Sequence, residues 1–218
     1  MTHQPTTAQQ VVEDFFGDAG LLAAQIGSTE GLVALGGATS QAFQRVTDLP
    51  SLRKFLRAYQ TQVLNPLELP AICEAHRHAG LFEVRELIEL DRRLAHEPLL
   101  EAFAAASQRA GKAQLKRLRP LRDQRLVQRY LRAVQAGEAH GWHTVVYGLI
   151  LSLYSLPLRQ ALLSYAQQTT RGFIYSAARG MALAESDCLE VVDELFADFP
   201  AAINTAMTSA TASWALIG

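Results

Sequence analysis

The chain has 218 residues and a formal net charge of -1. That balance excludes the basic excess expected of a general nucleic-acid binder or a polybasic membrane-surface protein. Hydrophobic residues make up 49% and charged residues 19%, which fits one compact soluble domain, or two small ones sharing a core.

At the N-terminus, MTHQPTTAQQVVEDFFGD has no basic segment followed by an apolar one, so it does not read as a secretory signal. Cys73 and Cys188 form no CxxC pair. Neither a disulfide framework nor a zinc knuckle is therefore expected, and a reducing cytoplasm fits best.

Apolar residues recur at three- and four-residue spacing almost throughout, and alternating runs are nearly absent, which is the helical pattern. In TDLPSLRKFLRAYQTQVL, Leu49, Leu52, Phe55, Leu56, Tyr59 and Val63 form one stripe. Thr47 or Asp48 is the expected cap, with Pro50 in the first turn, where a missing N–H does no harm. Breaks are expected at Asn65-Pro66, Gly80 and Glu97-Pro98. LFEVRELIELDRRLAHE places Leu81, Val84, Leu87, Ile88, Asp91 and Leu94 near one face and Glu86, Glu89 and Arg93 toward another, with i to i+4 charge support. Further on, Pro120, Gly137, Gly141, Pro157 and Pro200 mark turns or helix starts. The least charged long stretch, Val145 to Leu183, is expected to supply the central helices. Its longest apolar run, Val145 to Leu153, is too short to span a bilayer. The expected fold is all-α: residues 1–218 as a single-domain helical bundle of about nine to eleven helices.

Motifs for chemistry are sparse. Neither GxxxxGK[ST], GxGxxG nor GxSxG occurs, and Cys73 with scattered histidines defines no nucleophile constellation. His76 and His78 point to different faces of a helix. His140 and His143, three apart, can share one face, so a metal-dependent helical enzyme is one reading if a further ligand comes from elsewhere; ordinary histidines at a helix start are the other. No resident cofactor or metal is expected.

Charge concentrates between Arg109 and Arg132. Arg109, Lys112, Lys116, Arg117, Arg119, Arg122, Arg125, Arg129 and Arg132 face a single acid, Asp123. At helical spacing Arg122, Arg125, Arg129 and Arg132 make one strip. It reads either as a solvated helix face or as a docking surface for an acidic protein. Another charge, Arg179, stands in the small and apolar stretch RGFIYSAARGMALAESD, where it requires a partner or a route to solvent. The end of the chain, AAINTAMTSATASWALIG, is uncharged and helix-compatible. Ile203, Met207, Trp214 and Ile217 are its larger apolar groups, suited to packing on their own domain or on a partner.

Four blocks taken in order resemble the urease accessory protein UreF family over roughly Arg45 to Pro200. They are RVTDLPSLRKFLRAYQTQVLNPLELPAICEAH, ELIELDRRLA, ASQRAGKAQLKRL and HTVVYGLILSLYSLPLRQALLSYAQQTTRGFIYSAARGMALAESD. The family's pattern of a helix starting near a histidine, a glycine, a leucine-rich segment and a Ser-Ala-x-Arg ending falls here on His143, Gly148, Leu156 to Leu163, and Ser176, Ala177 and Arg179.

The resemblance implies a non-enzymatic, all-helical cytoplasmic scaffold that forms a homodimer. Its implied partners are apo-urease, the accessory protein UreD (also called UreH) and the nickel-delivering GTPase UreG, with neither nucleic acid nor membrane involved. It also implies that Ser28, Gly31, Tyr175, Ser176 and Arg179 face partners or the dimer mate; Lys112, Arg122, Arg125 and Arg129 of the basic segment join them on the strength of their charge. Three segments depart from the family. The early Ser-x-Gly-Leu-Glu run retains Ser28, Gly31 and Leu32 but has Val33 where the acid belongs. The Leu-Gly-Gln turn is replaced by Leu183, Ala184 and Glu185, and the Arg-His-Glu tail pattern is missing. A helical interaction module serving partners other than urease is the alternative those departures raise.

Overall fold

The computed structural model describes residues 46–121, 123–181 and 183–212. The first helix, α1 (Leu49–Tyr59), opens with a capping box: Asp48 accepts from the Ser51 N–H at 2.9 Å, and the Ser51 hydroxyl accepts from the Asp48 N–H at 3.0 Å. Such a box satisfies two donors that a helix start leaves unpaired. Leu52, Phe55, Leu56 and Tyr59 are its buried face.

The expected break at Asn65-Pro66 does not occur. The chain continues as a π-helical stretch, Gln60–Glu68, with Pro66 inside it, and passes directly into α2 (Leu69–Gly80). The wider π turn gives room where, in an α-helix, the carbonyl four residues earlier would meet the proline ring. Proline here changes the kind of helix without ending it.

Then follow α3 (Val84–Ala95), a short 3-10 turn (Pro98–Leu100), α4 (Glu101–Arg117), α5 (Arg125–Gln135), α6 (His143–Leu153), α7 (Leu158–Met181), α8 (Glu185–Phe196) and α9 (Phe199–Ala212). The described residues contain no strand. Gly80 and Glu97-Pro98 do end helices, and Gly137 and Gly141 take φ of 76° and 74°, the left-handed turns that glycine permits. Leu81, expected on the inner face of α3, lies in the turn before it and is exposed.

The least charged stretch does supply the centre. Every residue from His143 to Leu151 in α6 is buried. α2 and α4 both pack on α6, and each contact is made close by a glycine. A Cβ on Gly148 would stand 2.5 Å from the Ile72 carbonyl oxygen and 2.7 Å from the Ala75 Cβ, and one on Gly111 would collide with the Gly141 carbonyl oxygen. On the other side of the core, Phe173 of α7 sits among Phe55, Tyr59 and Phe103, with ring centroids 5.3, 4.8 and 6.4 Å away. Offset and edge-on arrangements of this kind add about 0.5–1.5 kcal/mol per pair to the apolar burial.

The uncharged tail packs on its own domain as far as it is described. α9 lies on α2, α7 and the π stretch, with Ile203 and Ala206 buried. Trp214 and Ile217 lie outside the described residues.

Candidate functional site

α3 and α5 lie side by side, and a groove of about 610 Å³ runs along them. From α3 it is lined by Val84, Arg85, Ile88, Glu89 and Arg92. From α5 come Arg129, Arg132 and Ala133, with Ala136 just past its end, and Glu138 follows from the next turn. Spacing explains the lining. Residues 85, 88, 89 and 92 recur at three and four on α3, as do 129, 132 and 133 on α5 with 136 at its C-cap, so each helix turns one face to the groove. Val84 and Ile88 are half-buried and form an apolar floor, while Arg85, Arg92, Arg129 and Arg132 are all exposed above it.

Two of the four arginines are partly engaged. Arg92 donates from Nε to the Glu138 carbonyl at 2.7 Å and stands 3.9 Å from the Glu89 carboxylate. Arg132 donates from Nε to the Gln128 carbonyl of its own helix at 3.2 Å. Arg85 and Arg129 form no side-chain hydrogen bond or ion pair among the described residues. At the α3 end, Phe82 is 74% exposed with φ at 58°, a left-handed conformation rare for an aromatic residue. Leu81 beside it is 48% exposed.

The basic segment is thus divided. Arg109, Lys112, Lys116 and Arg117 belong to α4, Arg125, Arg129 and Arg132 to α5, and a turn separates them. Arg129 and Arg132 enter the groove; Arg125, exposed at the start of α5, and Lys112, exposed on α4, do not line it. Ser28, Gly31 and Arg122 lie outside the described residues, as do the side chains of Tyr175, Ser176 and Arg179 on α7. Arg85 and Arg92 escaped the sequence reading because they sit on a helix of mixed charge; their seven-residue separation, two turns on one face, was the available signal.

A polar cluster lies in the core. Glu68, at the end of the π stretch, accepts from the Tyr59 hydroxyl at 2.5 Å and also bonds Tyr165. Burial pushes its carboxyl up to about 7, against the pull of those two hydroxyls. Next to it His143 stacks on Tyr165, centroids 5.7 Å apart, and lies 5.7 Å from the Tyr147 ring. Both of its ring nitrogens are buried without a hydrogen-bond partner, and burial lowers it to about 3, so it is neutral. His140 lies in the turn before α6 and His143 begins the helix, so their three-residue spacing is not a helical one. No group of three or more His, Cys, Asp or Glu side chains among the described residues could hold a metal ion. Burial also pushes the Cys73 thiol up to about 12, far from nucleophilic character at neutral pH.

Taken together these features define a helical bundle with an aromatic core, close glycine-mediated packing and a cationic groove on its surface. The chain belongs to the UreF family, whose model matches residues 46–196. No curated protein matches it significantly. Membership implies a urease accessory role, in a family of accessory proteins that are generally not enzymes. No helix among the described residues is long and apolar enough to cross a membrane.

Proposed function

We propose that the chain is a non-enzymatic urease maturation factor. It acts in the cytoplasm as a homodimer that docks the GTPase UreG and the accessory protein UreD (UreH) onto apo-urease, so that nickel reaches the urease active site as cargo. The observation that carries this reading is the family match over residues 46–196, a span that takes in helices α1 to α8. A scaffold of this kind needs no catalytic group; its work is to bind partner states differentially.

The helix bearing Tyr175, Ser176 and Arg179 and the basic residues Lys112, Arg122, Arg125 and Arg129 are the proposed partner or dimer surfaces, with Ser28 and Gly31 from the N-terminal segment. Arg179→Ala is expected to weaken the dimer or the GTPase contact. A second reading, an interaction module with partners other than urease, is favoured by Val33 in place of the family's acid and by Leu183, Ala184 and Glu185 in place of the Leu-Gly-Gln turn.

Co-purification separates the two. The tagged chain, expressed with urease subunits, a UreD-type and a UreG-type protein, with and without GTP, should recover a complex containing the GTPase. Recovery of the folded chain without any of them would favour the second reading.

A further inference from the structure

We propose that the groove between α3 and α5 is the docking site for an acidic, amphipathic segment of a protein partner, with Leu81 and Phe82 as the apolar anchor at its α3 end. The inference deepens the scaffold reading and rests on it only for the expectation that the chain has protein partners.

Charge selects the class of occupant. Four guanidinium groups line the groove against two carboxylates, Glu89 and Glu138, and Arg85 and Arg129 make no side-chain bonds among the described residues. Planar guanidinium forks match carboxylates in two-point hydrogen bonds, so exposed arginines on both walls suit an acidic occupant. The two glutamates interrupt the cations. A continuous polyanion would bring phosphates against them, whereas a peptide with separated carboxylates avoids them, so the lining favours protein over nucleic acid.

Shape narrows it further. Arg85 and Arg92 are two helical turns apart, about 10 Å, which is longer than a single small anion spans. The floor between the walls is Val84, Ile88, Ala133 and Ala136. It calls for apolar side chains between the acids of the occupant. The anchor adjoins the groove along the chain: the Val84 N–H donates to the Phe82 carbonyl at 3.1 Å, while Phe82 itself lines a neighbouring pocket of about 190 Å³ with Leu126, Val127, Leu149 and Leu153. A large aromatic held in a strained conformation and turned to solvent is a costly arrangement for a residue that binds nothing.

The test is fluorescence anisotropy of the full chain with a fluorescein-labelled amphipathic peptide bearing glutamates interleaved with leucines, at about 0.15 M salt, where diffuse surface attraction is screened beyond roughly 8 Å. The expected result is that R129E/R132E weakens binding about ten-fold or more. R109E/R119E, an equal charge reversal at exposed arginines outside the lining, should change it less than about two-fold, and F82G should weaken it several-fold without lowering the melting temperature. Equal losses in R109E/R119E and R129E/R132E would overturn the groove in favour of diffuse charge. So would competition by inorganic phosphate or single-stranded RNA as strong as that of unlabelled peptide, and so would the absence of binding. Recovery of urease accessory proteins that is indifferent to R129E/R132E would refute the groove and leave the scaffold reading. Peptide binding with no recovery of those proteins would do the reverse.

Discussion

The Asp91 carboxylate of α3 accepts a hydrogen bond from the Tyr130 hydroxyl of α5 at 2.6 Å, and both residues are fully buried. The same carboxylate accepts from the N–H groups of Gly141 and Trp142, each at 3.0 Å, and from that of His140. One acid therefore ties α3 to α5 and fixes the turn that leads into α6. Removing it leaves buried donors without a partner, each a desolvated group. Asp91→Ala, which leaves several buried donors without a partner, is expected to cost more than about 3 kcal/mol, and Tyr130→Phe, which deletes one of the bonds, about 1 kcal/mol. Urea denaturation of both variants checks the order.

Glu68 and His143 set opposing pH limits on stability. Glu68 titrates at about 7 in the fold against a usual 4.5, so the folded state holds its proton longer, and stability falls as pH rises from about 4.5 through 7. The full span corresponds to about 3 kcal/mol. His143 titrates at about 3 against 6.5, so stability is full above 6.5 and falls as pH drops toward 3. Between 4.5 and 6.5 the two slopes offset each other, and stability should be greatest there. Glu68→Gln should flatten the alkaline limb and His143→Leu the acid limb, as read by denaturation midpoints across pH.

Gly148→Ala should destabilise the fold, because its Cβ would press on the Ile72 carbonyl and Ala75 on a helix that is buried along its length. Backbone on the far side gives little room to relax, so a loss of about 1–3 kcal/mol is expected. A thermal melt reads it directly. No loss would mean that α2 and α6 can separate without cost.

Phe82→Gly should leave stability unchanged or raise it slightly. The wild-type side chain is mostly in water and contributes little burial, while its φ of 58° costs about 1–2 kcal/mol for a non-glycine residue. Against that stands about 1 kcal/mol of chain entropy that glycine gives up on folding. A clear drop in melting temperature would show that Phe82 holds the turn together.

Much of this was legible in the sequence where one residue's chemistry decides the local outcome. Thr47 or Asp48 ahead of Pro50 announces a cap, Gly137 and Gly141 announce turns, and the uncharged run after Trp142 announces a central helix. Asp91 stood on an apolar face, and the structure shows why it is tolerated there. Its four donors come from residues 39 to 51 positions away, and no local pattern encodes such pairings. Pro66 misled because a π turn and a break look alike in sequence. Gly80 ends α2 as expected, yet the left-handed residue in the turn that follows is Phe82, against intrinsic preference. The groove was half visible: Arg129 and Arg132 lay in an obvious strip, while Arg85 and Arg92 acquire meaning only when α3 and α5 are side by side.

The most direct measurement of the central claim is urease activation. In cells supplied with nickel and expressing urease subunits with UreD-type and UreG-type proteins, but lacking any other UreF-family chain, adding this one should raise both urease activity and the nickel content of purified urease. Unchanged activity and nickel content, with the chain present and folded, would contradict a role in urease maturation.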